Sequence, residues 1–171
     1  MKTKCWHIWG AIVTTGLGIL LHYIYDWSGG AFAAALFSAV NESTWEHLKL
    51  LAFPFLLFAA LEYFCYGKEL SNFTPAKFLG VLAGMFTITA AFYTYTGILG
   101  NHFLIADIAT FLIGVVTAYL VSYRTLSSGR FSSRAARCLS GLGIAALVLL
   151  FFLFTFRPPA IDLFLDPANG A

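Results

Sequence analysis

Between Asn41 and Lys49 the chain reads NESTWEHLK, and the apolar run LLAFPFLLFAAL follows directly. Glu42, Glu46, His47 and Lys49 are thus concentrated at the mouth of a hydrophobic segment. His22 and Asp26 stand four apart at the end of another apolar run, and His102 and Asp107 open a third. Imidazoles and carboxylates are nitrogen and oxygen donors for zinc, and an ion held by three of them keeps a position for water. Such an ion lowers the pKa of its water to about 7 and so supplies hydroxide for hydrolysis. A carboxylate outside the coordination sphere can act as general base. His22, His47, His102 and Asp107 are the candidate metal ligands, with Glu46 as general base and Asp26 orienting His22. Zinc or another divalent metal is the cofactor this chemistry expects. The same side chains also suit a proton relay or a cation in transit, a common use of acids and histidines inside membranes.

Spacing limits the geometry. His22 and Asp26 share a helix face, as do Glu42 and Glu46. Glu46 and His47 are about 100° apart around a helix, so they can flank one cavity without pointing together. Asp107 lies about five residues inside its run, roughly 8 Å from the start of a helix. An acid at that depth must face the bundle interior and find a partner. Lys49 lies at a similar depth, so a structural ion pair between Lys49 and Asp107 is the non-catalytic alternative. Ser43-Thr44-Trp45-Glu46 also fits a capping box. Trp27, Trp45 and the tyrosines at 23, 25, 93 and 95 fit an interfacial aromatic belt. No HExxH spacing, nucleophile elbow, P-loop or dinucleotide fingerprint is present.

The elements that carry these residues follow from composition. Sixty per cent of the 171 residues are hydrophobic and 11 per cent are charged, against about a quarter charged in soluble domains. Five stretches, near 5–25, 43–66, 76–98, 102–123 and 137–156, reach the roughly 20 apolar residues needed to cross a bilayer. The expected fold is an all-α, five-helix membrane bundle forming one domain over 1–171. Lys2, Lys4 and the later Ala31-Phe32-Ala33 resemble a signal peptide, but the apolar run reaches Tyr25, longer than a signal core. The first span is therefore expected to be a retained helix. Placing the N-terminus inside puts eight of the ten Lys and Arg on the inner side, leaving Lys49 and Arg157 outside. The positive-inside rule then gives an N-in, C-out topology. A bacterial cytoplasmic membrane is the expected location, with membrane lipids and not nucleic acid as partners.

On this topology His22, His47 and His102 share the outer level. The segment 29–40 is too short to span and is expected to be a re-entrant or interfacial helix forming a lid or wall over that level. The C-terminal FRPPAIDLFLDPANGA is expected to fold back over the same face. Pro54 should kink the second span. Gly80 and Gly84 form a small-xxx-small pair suited to close packing, within the chain or in a homo-oligomer. The basic, Ser-rich loop 124–137 suits the anionic inner leaflet. Glu62 is expected to snorkel to the inner surface. Cys5, Cys65 and Cys138 fall at inner ends and, with His7, have the composition of a zinc site. They read better as isolated buried thiols.

LHYIYDWSGG, FSAVNESTWEHLKLLAFP and FTFRPPAIDLFLDP together resemble a family of small bacterial membrane proteins of unknown function. That resemblance covers most of the chain and implies a shared five-helix layout. NESTWEHL is also similar to a stretch of the progestin/adiponectin receptor and haemolysin III group, which belongs with the alkaline ceramidases among intramembrane zinc hydrolases. The chain departs from that group in having five spans instead of seven. It also lacks the Ser-x-x-Phe-His stretch and the late His-x-x-x-His pair, so no ligand carries over. The expected function is a metal-dependent intramembrane hydrolase acting on a lipid or amphipathic substrate. The alternatives are a proton- or cation-coupled transporter or channel subunit, and a structural or assembly protein.

Overall fold

The computed structural model describes residues 2–166, and every regular element among them is helical. The end of the C-terminal stretch, residues 167–171, lies outside the described residues. The chain forms α1 (Lys2–Trp27), α2 (Phe32–Phe37), α3 (Thr44–Cys65), α4 (Phe73–Leu99), α5 (Leu104–Ser128) and α6 (Arg134–Phe156), with 3-10 turns at Gly67–Glu69 and Asp162–Phe164. All but α2 are long and apolar enough to cross a membrane. At 1.5 Å per residue they extend about 33–40 Å, more than the roughly 30 Å of hydrocarbon. The protein is a multi-pass membrane protein with the expected short helix between its first two spans.

Local chemistry sets the helix ends. Ser43 caps α3 and Ser133 caps α6, each accepting from the backbone N–H three residues on. Gly100 and Gly129 end α4 and α5 with φ of 71° and 65°, the left-handed conformation that glycine adopts without a Cβ penalty. Ser43 and Glu46 complete only half of a capping box. The Glu46 carboxylate accepts from the Val40 N–H at 3.0 Å, while the Ser43 N–H donates to Asn41 Oδ1.

The middle helix of the bundle is α3. Its Leu51, Ala52 and Phe55 are fully buried, and the core they form includes Val81 of α4, Ala118 of α5 and Phe151 of α6. Pro54 sits inside α3 and denies Leu50 O its usual i+4 donor. Gly18 of α1 closes on that same carbonyl, where a Cβ on Gly18 would lie only 2.6 Å from Leu50 O. The proline and the glycine together bring α1 against α3 beneath His22.

The tightest hairpin is α4–α5. Gly80 and Gly84 are buried against α5 of the same chain, where a Cβ on Gly84 would meet Ala118 Cβ at 2.8 Å and Gly114 O at 2.9 Å. The small-residue pair thus packs within the chain, and a homo-oligomer through it would require α5 to move away.

Short elements close the outer end. Ser38, after α2, donates to Leu21 O of α1 and accepts from the Tyr25 N–H. Phe32 stacks on Phe156, and Phe37 packs edge-on against Phe53 and Phe152. The C-terminal stretch folds back as expected, placing Phe164 against Trp45 and Phe154.

Gly84→Ala should destabilise the protein by about 1–3 kcal/mol, the usual cost of overpacking. Gly97→Ala on the same helix meets nothing within 4 Å and should be neutral or stabilising by about 0.5–1 kcal/mol. Unfolding of both variants in detergent micelles checks the contrast.

Candidate metal centre and its polar neighbours

Glu46 and His47, adjacent in sequence, face different neighbours, and this divides the outer polar residues into two groups. On one side, Glu46 and Lys49 are both buried and pair at 2.5 Å. The Lys49 ammonium also donates to Ala35 O of α2 at 2.9 Å and to Thr155 Oγ1 of α6 at 3.0 Å. Val40 N–H donates to Glu46, and Thr155 lies 3.1 Å from its other oxygen. Both charged groups are thereby hydrogen-bonded, and they tie α2 and α6 to α3.

This corrects three expectations. Lys49 pairs with Glu46 and not with Asp107, because one helical turn brings the two together on a face covered by α2 and α6. Glu46 is enclosed in that network and does not line the outer cavity, so it is not placed as a general base there. Nor is α2 a lid over the histidines; it covers the Glu46–Lys49 pair, and its residues are absent from the cavity wall.

On the other side of α3 lies a cavity of about 550 Å³, walled by α1, α3, α4 and α5. His22, Glu42, His47, His102 and Asp107 all line it, and most of the remaining wall is apolar, including Ile19, Leu50 and Phe111. Within it His22, Glu42 and His47 offer one donor atom each, all within 4.8 Å of one another. Glu42 Oε2 lies 3.4 Å from His47 Nε2 and 4.0 Å from His22 Nε2. Donors around a tetrahedral ion at zinc–nitrogen distances stand about 3.4 Å apart. The Glu42–His47 pair already stands at that separation, and His22 has to move closer to complete the set.

The tautomer of His47 bears on what the set can hold. Its Nδ1 is 3.0 Å from Ser43 O, and a carbonyl only accepts, so Nδ1 carries the hydrogen. Neutral His47 therefore turns the Nε2 lone pair toward the Glu42 carboxylate. Two acceptors facing each other at 3.4 Å need a cation between them, either a proton or a metal ion. A backbone carbonyl that fixes the second ring nitrogen is also the usual support of a metal-bound histidine.

His102 and Asp107 do not join this cluster. His102 Nδ1 lies 3.2 Å from Asp107 Oδ2, and the Tyr95 hydroxyl donates to Asp107 Oδ1. They form a separate dyad in the wall of the same cavity, with Asp107 orienting the imidazole. Asp26 is exposed at the end of α1 and makes no hydrogen bond to His22 among the described residues. Glu42 is the ligand-type residue that sequence reasoning left out. Its available signal was the i, i+5 spacing to His47 across the start of α3, and the loop conformation of residues 38–43 decides the contact.

At the inner end a third polar group appears where a snorkelling acid was expected. Glu62 is fully buried and ion-paired with Lys77 of α4. The Tyr66 hydroxyl donates to its other oxygen at 2.6 Å. Burial, and then that bond, push the Tyr66 phenol above its ordinary range, so it remains a donor. His7 of α1 is also buried, with Nδ1 2.9 Å from Thr3 O and 3.9 Å from Glu62, and Nε2 3.2 Å from Ser122 Oγ. Glu62 and Lys77 lie about five residues either side of the 67–72 connection, hence at matching depth, roughly 7 Å in. That symmetry was legible in the sequence. Cys5, Cys65 and Cys138 are exposed on the helix surfaces and are not buried thiols. They do not assemble with His7, whose ring nitrogens are engaged elsewhere.

The chain belongs to a family of unknown function, DUF6512, whose model matches residues 1–171. No curated protein and no solved structure matches it. The likeness of NESTWEHL to the receptor and haemolysin III group therefore rests on that stretch alone.

Lys49→Met should destabilise the protein by about 3–5 kcal/mol, since it leaves Glu46 buried and unpaired. Adding Glu46→Gln should restore much of that loss, because the neutral pair no longer buries a lone charge. Denaturant unfolding of the single and double variants measures the difference.

Proposed function

Within this family of unknown function, we propose that the protein is a metal-dependent intramembrane hydrolase whose substrate is a lipid or another amphipathic molecule. The observation that carries this reading is the meeting of His22, Glu42 and His47, with acceptor facing acceptor, in the wall of a largely apolar cavity. A divalent ion, zinc by donor type, would be held by these three residues and would supply an activated water.

The chain's own residues supply the remainder. Ser43 O fixes the His47 ring so that Nε2 points inward. Asp107 holds His102 with Nδ1–H toward itself, leaving Nε2 as a proton acceptor in the cavity wall. A proton taken there would sit on a ring held by the Asp107 carboxylate, itself bonded by the Tyr95 hydroxyl. Asp107 thus acts as a positioning residue. The apolar walls exclude water from the remainder of the cavity and suit a hydrocarbon chain, while the polar rim suits an ester, amide or phosphate headgroup. The rim lies on the side that the basic residues assign as outer.

Metal analysis of the purified chain should find about one divalent ion per protein, and chelation should lower the unfolding temperature. His22→Ala and His47→Ala should each lose the ion. His102→Gln should retain it and abolish hydrolysis of fluorogenic lipid esters. A chain that binds no divalent ion and is indifferent to chelator would remove the metal reading.

A further inference from the structure

The inner cluster is not used by the outer site. Within it, Glu62 is faced by Lys77 from α4, by His7 from α1 and by Tyr66 at the end of its own helix. From α5, Tyr119 lies against both His7 and Lys77, while Tyr123 packs edge-on to His7. Ser122 of α5 bonds His7. A bare ion pair would satisfy Glu62 and Lys77. The histidine adds something that pairing does not require.

Thr3 O accepts from His7 Nδ1, so the neutral ring presents a lone pair at Nε2, and the Ser122 hydroxyl donates to it. Adding a proton at Nε2 needs only a rotation of that hydroxyl from donor to acceptor. No hydrogen bond of the cluster is lost. The new imidazolium would sit 3.9 Å from the Glu62 carboxylate.

A second cavity, of about 410 Å³, reaches this cluster from the inner end of the bundle. Its wall includes Thr3 and Tyr66, the residues bonded to His7 and Glu62, together with Trp6, Cys65 and Glu69. On the far side, the α1–α5 seam continues through Thr14 and Tyr119, bonded at 2.8 Å, to Thr15 and Thr110 in the outer cavity wall. Tyr119 is pressed against Gly10 and Phe58 along this seam.

We propose that His7, held among Glu62, Lys77 and Ser122, is a proton-binding site near the inner end of the bundle. A hydronium ion gives up the proton and becomes water as an N–H bond forms at Nε2, and unloading reverses the step without a redox partner. Ionisable residues within membrane spans commonly mark such proton sites.

The test uses the full chain in lipid nanodiscs with nitrogen-labelled histidine, His7→Gln assigning the His7 signal. The ring should pass from the Nδ1–H tautomer to imidazolium as pH falls. Glu62→Gln removes the facing negative charge and should move the transition to lower pH by about one unit or more. Lys77→Gln removes the facing positive charge and should move it to higher pH. Tyr66→Phe keeps the ion pair, and so the fold, while freeing charge on Glu62; it should also move the transition upward. A ring that stays neutral wherever the chain is folded, or titrates alike in all variants, overturns the proton site. Neither result bears on the metal reading, whose ligands lie at the other end of the bundle.

Discussion

A carboxylate inside a helix that is surrounded by hydrocarbon has to find its hydrogen bonds within the protein, because the lipid offers none. The middle helix α3 carries two such groups, Glu46 near one end and Glu62 near the other, and both are buried. Their partners come from different elements. Glu46 draws in Lys49, the backbone before α3 and, through Thr155, α6. Glu62 draws in Lys77 of α4, Tyr66, and His7 of α1 at longer range. The two carboxylates act as anchor points that fix which helices surround α3 and in what register. Apolar packing alone would specify this poorly, since lipid tails compete equally for Leu and Phe.

With those anchors set, the outer histidines are free of structural duty. Lys49 is taken by Glu46, so Asp107 keeps no cation from α3 and turns to His102 and Tyr95. Glu42, just before α3, is left facing His22 and His47 across the cavity mouth. The meeting of His22, Glu42 and His47 is in this sense a consequence of the structural pairing: Glu46 is committed to the fold, and Glu42 is left at the cavity. Gly18 and Pro54 contribute by letting α1 close on Leu50 O, which sets the distance between His22 and the start of α3.

The two ends of the bundle then differ in kind. The outer cavity is mostly apolar, with His22, Glu42, His47, His102 and Asp107 in its wall. The inner one is small and polar, and it abuts a cluster whose members are each satisfied. The inner one lies between α1 and the end of α3, while the α1–α5 seam is marked by the Thr14–Tyr119 hydrogen bond, with Tyr119 packed on Phe55. Close approach of the α4–α5 hairpin, through Gly80, Gly84 and Gly114, holds that seam in place.

The five spans, the short helix after the first of them and the position of each ionisable residue along its helix were legible in the chain, because they depend on run length and hydropathy. The half capping box at Ser43 and the glycine ends of α4 and α5 are likewise local. Azimuth was not legible. Whether Glu46 faces α6 or the cavity, whether Glu62 turns inward, and whether Glu42 or Asp107 meets His47 depend on how each helix is rotated and which neighbour it meets. A shared level along the membrane normal follows from rise per residue. A shared point requires the rotation that tertiary packing fixes, and only there did the expected set of four ligands divide, His22 and His47 meeting Glu42 while His102 and Asp107 form a separate dyad.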